Sequence, residues 1–279
     1  MMKTIRKTAI VMLLCVYFLT YGVLPQVEAG KDTPVIVVAH RAGAKVAPEN
    51  TLAALEQAIR DGVPIAEIDV QQLSDGTLIV MHDSNFKRTA GEDVCVWDTE
   101  ADVLSTLEVG SAFSAAYRGE QIPTLEEMLA CAGGRITLMI ELKYTGQEQE
   151  LEESVLALLQ EYDMVGECII GSMNKGILQR VKELEPDIST VYIAHDLGED
   201  DYDLDYADSY SIEWKNLTTA MVETIHYEGK SVYGWTANTS GAMRQIVNSG
   251  ADGVVTDDVR LLQTFLRENT CRKTFESVY

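Results

Sequence analysis

Two histidine-bearing segments, VVAHRAGAKVAPENT at residues 37 to 51 and EIDVQQLSDGTLIVMHD at residues 67 to 83, are followed by IELK at residues 140 to 143. Together they bring two imidazoles, three carboxylates and two cations to the ends of short apolar runs. That inventory suits holding a divalent metal and hydrolysing a phosphodiester. Glu67, Asp69 and Glu141 are the candidate metal ligands, since hard oxygen donors without sulfur suit magnesium or calcium and leave positions for water and phosphate oxygens. Two carboxylates at i and i+2 in an apolar strand also bury like charges on one face, which is costly without a cation between them. His40 and His82 are the candidate acid and base, because imidazole exchanges protons near neutral pH. Arg41 offers phosphate oxygens a planar fork and Lys143 a point charge, although each also has an ordinary salt-bridge partner available in Glu49 or Glu141. Trp235, at another strand end, is the candidate for a further substrate contact. His195 and His226 lack comparable neighbours and read as surface or loop residues. Asp201, Asp203 and Asp205 alternate as in a calcium loop, but Tyr206 replaces the required glycine and Ile212 the required glutamate, so a solvated loop is expected.

These side chains need a frame that aims strand ends at one place. From Pro34 onward, short runs rich in Val and Ile alternate with amphipathic helical stretches, the pattern of a parallel sheet wound with helices. The runs are VIVVAH, IAEIDV, TLIVMHD, ITLMIEL, CIIGS, STVYIA, SYSIEW, SVYGWT and GVVTD, with helices expected over residues 51 to 60, 148 to 161, 175 to 183 and 241 to 249. Parallel neighbours need a crossover of about a dozen residues or more, so the tight turn at Ser74-Asp75-Gly76 makes TLIVMHD a hairpin arm. With Asp75-Gly76 as a two-residue turn, Ser74 pairs with Thr77 and Asp69 falls opposite His82. The other eight runs predict an α/β fold, a TIM (β/α)8 barrel whose site lies at the strand C-terminal ends. Residues 87 to 124 interrupt the rhythm and read as a small inserted subdomain after the hairpin, beside the site. Asn50 or Thr51 caps the helix after His40. The barrel domain is expected over residues 34 to 267, with residues 268 to 279 a loose polar tail.

Composition narrows the partners. The chain has 279 residues, 46% of them hydrophobic and 24% charged, enough for one large core. A net charge of -22 without a basic patch after residue 30 excludes nucleic acid, and any anionic substrate must be met by cations of the site itself. Lys3, Arg6 and Lys7 precede an apolar run at residues 9 to 24 and a small-residue pattern ending at Ala29. Residues 1 to 29 thus read as a signal peptide, or as a membrane anchor through residues 9 to 24. Either reading places the body outside the cytoplasm, secreted or membrane-anchored. Cys95, Cys131, Cys168 and Cys271 match no zinc spacing and read as packing residues before a disulfide framework.

The segments resemble, in order, those of the glycerophosphodiester phosphodiesterase family. The resemblance runs from about Val35 to Leu266: the HR loop with APENT, the ExD strand, the DG hairpin ending in HD, RTAG at residues 88 to 91, IPTLEE at residues 122 to 127, IELK, WTAN at residues 235 to 238 and GVVTD. It implies a TIM barrel with an inserted subdomain, His40 and His82 as acid-base residues, Glu67, Asp69 and Glu141 around one divalent cation, calcium or magnesium, and Arg41 and Lys143 on the phosphate. The implied substrate is a small glycerophosphodiester, cleaved to glycerol 3-phosphate and an alcohol by water or by the glycerol's own neighbouring hydroxyl. The usual HRG reads His40-Arg41-Ala42-Gly43 here and the usual WTVN reads WTAN, and neither change removes a candidate side chain. The alternatives are a lysophospholipase D or sphingomyelinase D-like enzyme acting on lipid diesters, and an envelope protein that captures glycerophosphodiesters without cleaving them.

Overall fold

A computed structural model describes the backbone of residues 34–276 and side chains through residue 269. All nine expected strands form: β1 (Ile36–Ala39), β2 (Ile65–Gln72), β3 (Leu78–Val80), β4 (Thr137–Leu142), β5 (Cys168–Ser172), β6 (Ser189–Ala194), β7 (Ser209–Glu213), β8 (Ser231–Trp235) and β9 (Gly253–Thr256). Eight are parallel, in the order β1-β9-β8-β7-β6-β5-β4-β2, and a β1–β2 pairing closes them into a barrel. β3 runs antiparallel on the outside of β2, because its short connection permits nothing else. The barrel is thus a TIM barrel with a hairpin arm.

Period-two alternation explains how the barrel brings the candidate residues to one end. Val38, Ile65, Met139, Val191, Tyr233 and Val255 form one buried cluster in its interior, each worth about 1.5 to 3 kcal/mol of burial when fully enclosed. Two residues further along the same strands come His40, Glu67, Glu141, Trp235 and Asp257. An apolar floor therefore carries a polar ceiling at the strand C-terminal ends.

The helices Leu52–Arg60, Leu125–Ala132, Leu151–Glu161, Lys175–Leu184, Thr219–Tyr227, Ser240–Ser249 and Val259–Glu276 cover the outside. Thr51, rather than Asn50, caps the first by accepting from Ala54 N. The β6–β7 connection has only a short turn at Glu199–Asp201 among its described residues. Its acidic run is tied down by Lys175 on Asp201 and by Lys230 at 3.4 Å from Asp203. Residues 87 to 124 form short helices and turns around a small second core that Val96, Leu104, Leu107, Val109 and Ile122 share with Leu73, Ile79 and Met81 of the hairpin.

Two expectations need correction. The hairpin register is Val70↔Val80, Gln71↔Ile79 and Gln72↔Leu78, which sets Asp69 opposite Met81 rather than His82. The loop has three residues, not two: Leu73 N donates to Thr77 O, Gly76 N donates to Leu73 O, and Gly76 takes φ 88°, the left-handed position that closes a three-residue hairpin loop. The tail expected from residue 268 is helical to Glu276, since no Gly or Pro interrupts residues 259 to 276. The signal-peptide or anchor segment lies outside the described residues, among which no helix is long and apolar enough to cross a membrane.

Candidate active site

Glu67, Asp69 and Glu141 converge: one carboxylate oxygen from each lies within 4.8 Å of the others. Parallel pairing sets Asp69 beside Glu141, and the alternation of β2 puts Glu67 on the same face. Glu67 and Asp69 are buried, at 4% and 1% exposure. Lys143 Nζ lies 2.9 Å from both Asp69 Oδ1 and Glu141 Oε1, without hydrogen-bond alignment to Asp69 Oδ1. Asn50 holds the other edge of Asp69, donating from Nδ2 to Oδ2 at 2.8 Å. Asn50 manages this from a left-handed backbone conformation, φ 56°, which asparagine tolerates better than most residues.

The electrostatics of the cluster fit a bound cation. Burial, and then the neighbouring charges of Asp69 and Glu141, push the Glu67 carboxyl well above its ordinary range. Glu141 moves up as well, from burial and despite Lys143. Asp69 goes down, because Lys143, His82 and Arg41 outweigh its burial. One ammonium therefore does not compensate three clustered carboxylates, and an all-oxygen donor set of this size fits a hard divalent ion.

The loop after β1 folds back onto this cluster. Arg41 and Ala42 are left-handed, with φ 50° and 61°, and the turn aims Arg41 N at Glu67 Oε2, 2.7 Å away. The Arg41 guanidinium pairs with Glu49 at 2.9 Å and stands 3.8 Å from Asp69. Both candidate phosphate cations are thus held by carboxylates of the site, the salt-bridge role left open by the sequence.

Each candidate histidine has a carboxylate on Nδ1. His40 Nδ1 lies 2.5 Å from Asp257 Oδ1, and His82 Nδ1 lies 2.8 Å from Asp83 Oδ1. Nε2 of each is then the nitrogen left for chemistry. Their environments differ. Burial lowers His40, but the Asp257 hydrogen bond and the charge of Glu67 outweigh it and hold His40 above its ordinary value. Burial prevails at His82, which falls below its ordinary value despite Asp69 and Asp83. Asn238 orients Asp257 in turn, donating to Oδ2 and accepting from Asp257 N.

Trp235 sits across the barrel end on β8, its Nε1 donating to Ser211 O at 2.9 Å. The His195 ring, 5.2 Å from the Trp235 ring, belongs to the same rim and pairs with Glu213, whereas His226 pairs with Asp252 before β9, away from the strand C-terminal ends. A cavity of about 180 Å³ opens between the first loop and the insertion, lined by residues including Pro48, Glu49, Met81, Arg88, Phe113 and Ile122. It adjoins the carboxylate cluster rather than containing it, sharing Asn50. Asp257, Asn50, Asp83, Arg88 and Glu49 hold the candidate side chains, directly or through one another. All five fall inside the quoted motifs, and apart from the Arg41–Glu49 pairing nothing local in the sequence says which side chain each would meet. Cys95, Cys131 and Cys168 are free thiols, and burial pushes Cys168 up to about 12.

The chain matches the sequence model of the glycerophosphoryl diester phosphodiesterase family over residues 40–261. It is 31% identical to a glycerophosphodiester phosphodiesterase of Caldanaerobacter subterraneus, covering 84% of this chain and 98% of that one. It is 30% identical to one of Bacillus subtilis, covering 80% and 83% respectively. Among solved structures, an Oleispira antarctica phosphodiesterase in complex with the product sn-glycerol-3-phosphate superposes with a TM-score of 0.78 at 28% identity, covering 83% of this chain and 96% of that one. A glycerophosphodiester phosphodiesterase of Agrobacterium tumefaciens gives a TM-score of 0.70 at 25% identity, covering 82% and 98%.

Proposed function

Because the chain belongs to the glycerophosphoryl diester phosphodiesterase family, we propose that it hydrolyses glycerophosphodiesters to sn-glycerol 3-phosphate and an alcohol, using one divalent cation, calcium or magnesium, held by Glu67, Asp69 and Glu141. The observation that carries this reading is the grouping of that carboxylate trio with two histidines, each pinned through Nδ1 by a carboxylate. When bound, the cation supplies Lewis-acid stabilisation of the charge that builds on the phosphoryl oxygens. Arg41 and Lys143 turn from their carboxylate partners to the phosphodiester and offset the acidity of the rest of the chain. His82, drawn toward its neutral form, accepts the proton of the nucleophile. His40, held toward its protonated form by Asp257, donates a proton to the leaving alkoxide. Trp235 contributes a flat apolar wall for the substrate. The protein acts outside the cytoplasm, in keeping with the character of residues 1 to 29.

The test is release of glycerol 3-phosphate from glycerophosphocholine after chelation and add-back of calcium or magnesium. Activity is expected to vanish on chelation and to return with one of the two ions. His82→Ala should cost about 10²- to 10⁴-fold in kcat, the usual weight of a proton-transfer group. Activity that no divalent ion restores, or turnover unchanged in His82→Ala, would overturn the reading.

A further inference from the structure

We propose that Arg88 is a positioning residue, which couples the proton-transfer side of this site to its phosphate-binding side through two carboxylates. Arg88 lies on the short helix Lys87–Ala90 at the start of the insertion. Its Nη1 and Nη2 donate to Glu49 Oε2 and Oε1 at 2.8 and 2.7 Å. Its Nε and Nη2 donate to Asp83 Oδ2 and Oδ1 at 2.7 and 3.0 Å. Each carboxylate continues inward, Asp83 to His82 Nδ1 at 2.8 Å and Glu49 to Arg41 Nη1 at 2.9 Å. One guanidinium thus closes a chain that runs His82, Asp83, Arg88, Glu49, Arg41.

The Arg88 side chain is 49% exposed, and solvent-screened ion pairs contribute little to stability. The value of the arrangement is geometric. A planar fork engaged on both edges fixes two carboxylates at once, and a lysine cannot. Without Arg88, Asp83 keeps contact with His82 but loses the anchor that sets the ring's orientation, so proton transfer suffers. Glu49, no longer shared, turns its full charge on Arg41 and competes with the incoming phosphate. The first loss falls on kcat and the second on KM. Docking of the insertion thereby sets both sides of the site together.

This inference rests on the roles proposed for His82 and Arg41, so the experiment includes His82→Ala as a reference. Arg88→Ala is expected to lower kcat about tenfold to a hundredfold, the scale of a small misplacement of a catalytic group. KM should rise severalfold, while the thermal midpoint stays close to that of the parent. Arg88→Lys should recover only a minor part, and added guanidinium should restore kcat in Arg88→Ala. In an Asp83→Asn background the further change Arg88→Ala should move KM alone, and in Glu49→Gln it should move kcat alone. Parental kcat and KM in Arg88→Ala, with His82→Ala inactive, would overturn the inference and leave the proposed function standing. Losses that follow a lowered thermal midpoint and add independently to Asp83→Asn would reduce Arg88 to a structural role. Unchanged turnover in His82→Ala would remove the proposed function, and this inference with it.

Discussion

At the scale of single residues, the site separates two chemically identical imidazoles by their surroundings. His40 faces Asp257 and Glu67 and is held up, while His82 is drawn down by burial. The sign of the expected pH dependence follows. Activity should rise with pH as His82 loses its proton below the ordinary histidine value, and fall as His40 loses its own above that value. Asp257→Asn removes the partner that raises His40, so the descending limb of kcat/KM against pH should move to lower pH while the ascending limb stays. A descending limb that does not move would sever the link between Asp257 and proton donation. His40, Glu67, Glu141 and Trp235 were legible because each lies two positions beyond an apolar interior residue, and Asp69 and Lys143 because each follows one of those carboxylates at the same spacing. Their partners were not, since Asp257 lies 217 residues from His40 and Glu49 lies 39 from Arg88.

At the scale of elements, the strands and most helices follow from hydrophobic period and caps, whereas close backbone approaches do not. Gly234 in β8 shows the difference: a Cβ there would meet Ile246 of the helix Ser240–Ser249 at 2.7 Å. Gly234→Ala should destabilise the fold by about 1 to 3 kcal/mol through overpacking, read as a lower midpoint in urea unfolding. Gly76 in the hairpin loop has open space around its Cβ position but φ 88°, so Gly76→Ala should cost only backbone strain, about 1 kcal/mol. Equal effects at the two positions would contradict this division. The hairpin also marks where local signals ran out. An Asp-Gly pair suits two-residue turns, and only the ladder between β2 and β3, with Asp75 Oδ2 accepting from Ala101 N of the insertion, sets the longer loop and the shifted register.

At the scale of the whole molecule, a chain of net charge -22 clusters three carboxylates, two of them buried, at the mouth of its barrel, so divalent cation and fold should stabilise one another. At a hundredfold excess over its Kd, the cation should add about 2.7 kcal/mol, or roughly 5 to 10 °C in thermal midpoint. Glu67→Gln should abolish that increment. Without metal, Glu67→Gln should melt above the parent at neutral pH, because burial and the charges of Asp69 and Glu141 make the folded parent hold a proton on Glu67 that an unfolded glutamate would release, a cost the amide does not carry. A metal-free variant melting below the parent would reverse the sign of this electrostatic account. The sequence by itself determined the barrel, the end of it that carries the chemistry, and the ligand types on offer, because alternation along a strand and the length of a crossover are local properties of the chain. Only the tertiary structure decided which carboxylate meets which histidine, that Arg88 spans Asp83 and Glu49, and that Met81 rather than His82 stands opposite Asp69. Those depend on closing β1 against β2 and β9 and on docking the insertion, contacts between distant residues for which local periodicity holds no information.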